Sequence, residues 1–259
     1  MPFAKKSLGQ NFLSAPQVVD DIIKAARIIA GETVIEIGPG TGVLTLGLLK
    51  AGAHVIAVEK DDRLISHLHN LYTKGEYAHR FELIHGDILE TPIDEITKGS
   101  YKVVANIPYY ITGAIVRRFL SERKKPTCMV LMVQKEVADR IIARDGKESM
   151  LSISVKVYGT PDLVRKVGRG SFRPVPGVDS AVLRIDSIHS PFLSPEAESR
   201  FFAIVRAGFA QKRKKLSRNL ETVASREAIA HAFTTLSMNE SVRPEDLSPQ
   251  DWLALAQHI

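Results

Sequence analysis

The 259-residue chain has one cysteine, Cys128, so no disulfide can close within it and a reducing cytoplasm is the expected setting. Cys128 sits in the apolar run Cys128 to Val133, where it reads as a small buried hydrophobe and not as a catalytic thiol. No uninterrupted apolar stretch approaches the roughly twenty residues of a membrane span. The lysines near the start lack the apolar core that would follow them in a signal peptide. Internal repeats and low-complexity tracts are also missing. Acidic charge is in the minority: 35 Lys and Arg face 29 Asp and Glu, a net charge of +6 and a pI near 9.4. That imbalance favours a polyanionic partner without identifying it. What remains is a globular composition, 44% hydrophobic and 25% charged, long enough for one large domain and a small one.

One further absence is informative. Thr33-Val34-Ile35 reads as a strand and Val43-Leu44 through Leu48-Leu49 as a helix, with Gly38, Gly40 and Gly42 between them. Strand, glycine turn and helix bring a backbone close to a nucleotide-like ligand. A dinucleotide fingerprint would place a third glycine or alanine where Val43 stands. The alternating glycines, preceded by Glu36, therefore suit a ligand without a pyrophosphate. Glu59 ends the run from His54, about twenty residues beyond the first glycine, where an acid accepts from ribose hydroxyls. Asp87 follows the run Phe81 to His85 and is placed to take an adenine amino group. Ribose, adenine and no phosphate describe S-adenosylmethionine (SAM). Ordinary tight turns and solvated strand ends are the plainer alternative, weakened by the three features falling in register on successive strands.

Ser14 with Gln17 reads as a capping box for a helix from Gln17 to Ile29. The basic segment ahead of it, Lys5 to Leu13, is placed to fold over the cofactor, with Asn11 offering a hydrogen bond; a basic tail on phosphates is the other reading. Asp61 is expected to cap a helix with Leu64, Ile65, Leu68 and Leu71 on one face. Tyr101 to Ala105 reads as a fourth strand, Thr112 to Leu120 as a helix, the Cys128 run as a fifth strand and Gln134 to Ala143 as a helix. Ser149 to Val157, Asp162 to Val167 and Ser180 to Asp186 read as closing strands. The alternation predicts an α/β fold, a Rossmann-like doubly wound and mostly parallel sheet with ligands at its C-terminal strand ends. Composition shifts at Ser187 to Pro191, which sets the expected domains at 1–188 and 189–259. The second reads as helical, over Pro195 to Phe209, Gln211 to Leu220, Arg226 to Phe233 and Pro249 to Gln257.

Asn106-Ile107-Pro108-Tyr109 follows the fourth strand. An exocyclic amine of adenine is a poor nucleophile because its lone pair is delocalised into the ring. The Asn106 side-chain oxygen and the Pro108 carbonyl form an acceptor pair for both its hydrogens, and Tyr109 can stack on an extruded base. Orientation toward a methyl donor then supplies most of the rate. A plain turn is the competing reading. The proline loop from Gly170 to Ser180 places Phe172 as a second aromatic for the base, or else is a hairpin connector. Lys212, Arg213, Lys214, Lys215 and Arg218 form a dense basic run, read as a phosphate-contacting surface against the alternative of a solvated face.

Lys6 to Leu13, the Glu36 to Gly42 loop, Asn106 to Tyr109 and Phe172 to Ser180 together resemble the family of rRNA adenine N6-dimethyltransferases of the KsgA/RsmA type. Phe209 to Lys214 and Glu245 to Ser248 fit it too, so the resemblance runs from end to end. It implies a SAM domain with a helical C-terminal domain. It also implies dimethylation of two adjacent adenosines in the 3′-terminal hairpin loop of small-subunit (16S) rRNA, in a pre-30S particle. By matching position, Asn11, Leu13, Gly38, Glu59, Asp87 and Asn106 would contact SAM, with Gly40 in the same loop. Asn106, Pro108, Tyr109 and Phe172 would meet the adenine. Tyr110 departs from the asparagine common in the family, adding bulk beside the target pocket. A monomer without a metal ion is expected. The competing functions are adenine methylation of 23S rRNA of the macrolide-resistance type and a largely non-catalytic role in ribosome assembly.

Overall fold

In the computed structural model, which describes residues 4, 5, 9–211 and 214–259, the chain separates into two units. Met1–Ala138 with Thr160–Ile188 forms the first, and Asp139–Gly159 with His189–Ile259 the second. In chain order the elements begin β1 (Phe12–Leu13), α1 (Pro16–Ala26), β2 (Thr33–Ile37), α2 (Val43–Lys50), β3 (His54–Glu59), α3 (Asp62–Tyr72) and β4 (Phe81–His85). They continue with α4 (Ile93–Ile96), β5 (Tyr101–Asn106), α5 (Thr112–Ser121), β6 (Cys128–Gln134), α6 (Lys135–Ile142), α7 (Met150–Lys156) and β7 (Thr160–Val167). Last come β8 (Phe172–Arg173), β9 (Ser180–Asp186), α8 (Pro195–Gly208), α9 (Leu216–Leu220), α10 (Arg226–Thr235) and α11 (Pro249–His258).

The first unit is built on a seven-stranded sheet in the order β4-β3-β2-β5-β6-β9-β7, flanked by helices. Strands with both faces covered need continuous apolar runs, and β6 is buried over all but its last residue. In this sheet β9 points opposite to the other six strands. The chain winds outward from β2 through β3 to β4, then returns to β5 on the other side of β2. This reversal leaves a crevice at the carboxyl ends of β2 and β5. Ile37 pairs with Ala105 there, so Gly38 and Asn106 follow side by side at the strand ends.

Three local expectations are corrected. Ser149 to Val157 is not a strand: α7 occupies it, opened by a capping box in which Ser149 and Ser152 satisfy each other's backbone N–H. The alternating Ile153 and Val155 carry strand propensity, but both are buried on a helix, and the cap decides. Ser14 does not cap α1. The N-cap is Ala15 with Pro16 just inside the helix, and the Ser14 N–H and hydroxyl both donate to the Ser171 carbonyl, at 2.9 and 3.0 Å. That helix stops at Ala26, where Arg27 turns to φ 45. On α3, capped by Asp61 as expected, the buried stripe is Leu64, Leu68 and Tyr72, and Leu71 is exposed.

The second unit is helical and takes in Asp139–Gly159, which the division at residue 188 assigns to the first domain. Contacts explain why. Glu148 N–H donates to the Glu245 carbonyl at 2.8 Å, and Lys147 pairs with Asp246. The Tyr158 ring stands 5.7 Å from that of Phe192 and 6.1 Å from that of Phe202. Trp252 is fully buried at the centre of this unit and stacks on Phe209 at 5.5 Å. A methyl group on Gly208 would stand 2.3 Å from the tryptophan ring, so only glycine fits at that point of α8.

Candidate active site

The crevice at the strand ends is a cleft with about 1010 Å³ of atom-free space, its open mouth included. Its wall is the turn between β2 and α2. Gly38 has φ 61, and a Cβ built there would meet nothing within 4 Å, so its outer side is left for a ligand. Gly42, at φ 84, is the N-cap of α2; a Cβ there would lie 2.8 Å from the Tyr72 ring. Tyr72 uses that closeness: its hydroxyl donates to the Gly42 carbonyl at 2.7 Å and fixes the turn from α3.

Carboxyl groups line the floor. Glu59, at the end of β3 and 5% exposed, accepts from the N–H groups of Gly40 at 3.1 Å and Asp61 at 2.8 Å. Burial pushes its pKa up, and the two backbone bonds oppose the shift. Each oxygen keeps a lone pair for a ribose hydroxyl. Asp87 accepts from Lys60 at 2.7 Å and from the Leu89 N–H at 2.9 Å. Burial would raise its pKa, but those bonds outweigh it and hold the carboxyl below its usual value. The Lys60 side chain is 62% exposed, so this pair is the kind that opens at little cost.

Glu36, singled out in sequence only as preceding the glycines, is a further member of the site. Its Oε2 accepts from the Thr45 hydroxyl at 2.6 Å, and its buried Oε1 has no partner among the described residues. Burial, with the nearby Glu59 charge adding to it, raises its pKa to about 8. A buried orphan oxygen beside a cleft is a place for a cationic donor. One acid in the apolar strand Thr33–Ile37 was the available signal. The carboxyl groups of Glu36, Glu59 and Asp87 thus stand along one cleft, an acceptor set that fits the ammonium, ribose and adenine of SAM.

The Gly9–Leu13 segment covers this cleft. Leu13 is 6% exposed, and β1 pairs antiparallel with β8, Leu13 opposite Phe172. Gln10 donates to Asp61 at 2.7 Å. Asp61 is almost fully buried, and its hydrogen bonds with Arg63, outweighing the cost of burial, hold its carboxyl well below the usual range. The Asn11 side chain turns back to the Gly9 carbonyl at 3.2 Å, and its main-chain oxygen accepts from Asn106 Nδ2 at 3.1 Å.

Asn106, Pro108 and Tyr109 all line the cleft. Asn106 Oδ1 has no partner among the described residues. The Pro108 carbonyl accepts from the Ile111 N–H at 3.2 Å, which leaves it a second lone pair. Tyr109 is half-buried, and its hydroxyl shares a 2.6 Å hydrogen bond with that of Ser180, a fully buried residue that sequence reasoning passed over. Tyr110 is 66% exposed and lies over Gly9.

Phe172 is not brought to the same place. It is fully buried, belongs to the core under β1 and does not line the cleft. Its backbone pairing with Leu13 turns the ring inward, so it offers no face to a base in this structure. Of the two aromatics expected to clamp a base, Tyr109 lines the cleft, whereas Phe172 is packed beneath the Gly9–Leu13 segment.

In the helical unit, Lys214, Lys215 and Arg218 are exposed and their charged ends make no ion pair among the described residues, whereas Lys212 and Arg213 lie outside those residues. The helix expected from Gln211 begins only at Leu216, with α9, and Gln211 itself is in a turn. Buried Asn219 holds this turn, donating to the carbonyls of Gly208 at 2.5 Å and Gln211 at 3.1 Å. Among the described residues, no three His, Cys, Asp or Glu side chains cluster as a metal site, and no helix is long and apolar enough to cross a membrane.

The sequence model of one family, ribosomal RNA adenine dimethylase, matches residues 2–259. A ribosomal RNA small subunit methyltransferase A of Dehalococcoides mccartyi (strain BAV1) is 44% identical over 256 residues, covering 97% of this chain and 87% of that protein. Among solved structures, a dimethyladenosine transferase from Plasmodium falciparum superposes with a TM-score of 0.83 at 30% identity, covering 94% of this chain and 95% of its own. The 23S rRNA methyltransferase ErmE gives 0.78 at 27% identity, covering 96% and 99%.

Proposed function

Because the chain belongs to the ribosomal RNA adenine dimethylase family, we propose that it dimethylates the N6 amines of two adjacent adenosines in the 3′-terminal hairpin loop of small-subunit rRNA. It does so as a monomer on a pre-30S particle in the cytoplasm. The enzyme is a SAM-dependent rRNA methyltransferase of the Rossmann-like class. Its cofactor supplies an electrophilic methyl group on a sulfonium. Glu59 takes the ribose hydroxyls. Asp87 takes the adenine amine after releasing Lys60, and Gly38 and Gly40 leave room for the backbone approach. Asn11 and Leu13 close over the same ligand. Glu36, its pKa raised by burial to about 8, would hold the cofactor's ammonium through Oε1.

The observation that carries the proposal is Asn106 Oδ1, unpaired among the described residues, at the sheet's crossover, beside the glycine turn and two residues before the Pro108 carbonyl. The two oxygens accept both hydrogens of an amine and draw its lone pair out of conjugation. Tyr109, anchored through Ser180, supplies the stacking face. Bound SAM would give up its methyl by breaking the carbon–sulfur bond and leave as a neutral thioether; the methylated amine is then acidic enough to pass its proton to water, so no strong base is required. Lys214, Lys215 and Arg218, together with Lys212 and Arg213, serve as phosphate contacts that position the RNA.

The structural likeness to ErmE supports a second reading, an adenine of 23S rRNA. Transfer of tritium from labelled SAM separates the two. Purified 30S particles lacking the modification should be labelled at adjacent adenosines near the 3′ end, and naked 23S rRNA should stay unlabelled. Label confined to 23S rRNA would replace the first reading with the second.

A further inference from the structure

A carboxamide has two ends of opposite sense: the nitrogen donates and the oxygen accepts. For Asn106 this decides what an incoming amine meets. Its Nδ2 donates to the main-chain oxygen of Asn11 at 3.1 Å, across 95 residues of sequence. A carbonyl can only accept. Turning the Asn106 amide over would set two oxygens against each other and aim N–H groups at an amine that itself brings hydrogens. The Asn11 carbonyl thus selects one of two nearly isosteric orientations, the one with Oδ1 free.

That carbonyl is held from both sides. Gln10 Nε2 is tied to Asp61 Oδ2 at 2.7 Å, and Asp61 is 2% exposed at the N-cap of α3. Phe12 and Leu13 are paired with Arg173 and Phe172, and Ser14 reaches the Ser171 carbonyl twice. We propose that the Gly9–Ser14 segment is a positioning element for the target amine as well as a wall of the cofactor cleft. Acting through the Asn11 main-chain oxygen, it presents the acceptor end of Asn106 to the base. This rests on the reading of Asn106 as the amine's acceptor. It adds a dependence that reading does not contain: loosening the segment impairs transfer even when the cofactor site is full.

The test is a double-mutant cycle in single-turnover transfer, with full-length enzyme in excess over unmethylated 30S particles and saturating SAM. Gln10→Ala cuts the tether to Asp61. It should slow transfer about tenfold in the wild-type background, the scale of a modest misplacement. In an Asn106→Asp background no amide remains to be oriented, and Gln10→Ala should change the rate by less than about twofold. Gln10→Glu keeps the volume but cannot donate to Asp61 when ionised, and should reproduce the alanine result. Equal losses in both backgrounds, no loss from Gln10→Ala, or wild-type rates with Gln10→Glu would each overturn the proposal. Failure of the wild type to label any adenosine would instead sink the functional reading, and this inference with it. Thermal melts and SAM affinity of each variant, measured alongside, identify a folding defect or unfilled cofactor site.

Discussion

The cleft at the strand ends and the basic turn of the helical unit use polar residues in opposite ways. Glu36 and Glu59 on the cleft and Asp61 close to it in sequence are buried, hydrogen-bonded to Thr45, to backbone N–H groups and to Gln10 and Arg63, and shifted in pKa by that burial and those bonds. Around the turn, Lys214, Lys215 and Arg218 stand in water without an ion pair among the described residues, and the buried group is Asn219, which shapes the backbone beneath them. Chemistry needs groups held in fixed orientation in a low dielectric. Phosphate contact needs mobile charge that surrenders little hydration before binding. Substitutions in the two regions should therefore fail differently.

The sharpest contrast is Asn106→Ala. It should lower the single-turnover rate by about 10²–10³-fold, the scale of losing one preorganised polar partner, while RNA affinity measured by filter binding stays near wild type. An equal fall in both would erase the division between the regions. Glu59→Ala follows: SAM affinity measured by calorimetry should weaken by about 10–100-fold, since hydrogen bonds to a charged group contribute roughly 1.5–3 kcal/mol. RNA binding should again be spared; its loss in a folded variant would count against the assignment.

The reverse pattern is expected of Lys214→Ala with Lys215→Ala. RNA affinity should fall severalfold and the slope of log affinity against log salt should drop by about two, with the rate on saturating RNA unchanged. A slope that stays put would show that these side chains touch no phosphate.

The smallest effect concerns pH. The Glu36 carboxyl is raised from 4.5 to about 8, so the folded protein holds a proton that the unfolded chain has released. Its contribution to stability is fully present below 4.5 and drains away as pH rises toward 8. SAM affinity should move the other way, rising over that range as the proton needs no longer be displaced. Calorimetry between pH 6 and 9 checks it. Glu36→Gln should flatten the pH dependence of both; a slope surviving in the variant would assign it to another group.

How far the sequence could be read depended on whether a feature was local. The parallel strands were legible because burial on both faces writes itself as continuous apolar runs. Asn106 and the three glycines were legible because strand ends sit next to turns. Ser149 to Val157 misled because Ile and Val at alternate positions fit a strand, while the capping box that makes it a helix rests on two serines. The burial of Phe172 was illegible for a different reason. Its motif shows an aromatic in a loop, and only the pairing with Leu13 decides that the ring faces inward. Gln10 and Ser180 lie in segments the sequence singled out, but their partners could not be read, since each bonds a residue 51 or 71 positions away.

By itself the chain's order of residues determined the α/β class, the glycine turn, the acids at successive strand ends and the Asn106 motif, because each follows from neighbours in sequence and from the period of apolar residues. Only the tertiary structure decided which way the Asn106 amide faces, that burial raises the Glu36 carboxyl, that Phe172 is buried and that 139–159 joins the helical unit. Those outcomes turn on burial and on partners distant along the chain, and desolvation and hydrogen-bond polarity act on what is close in space.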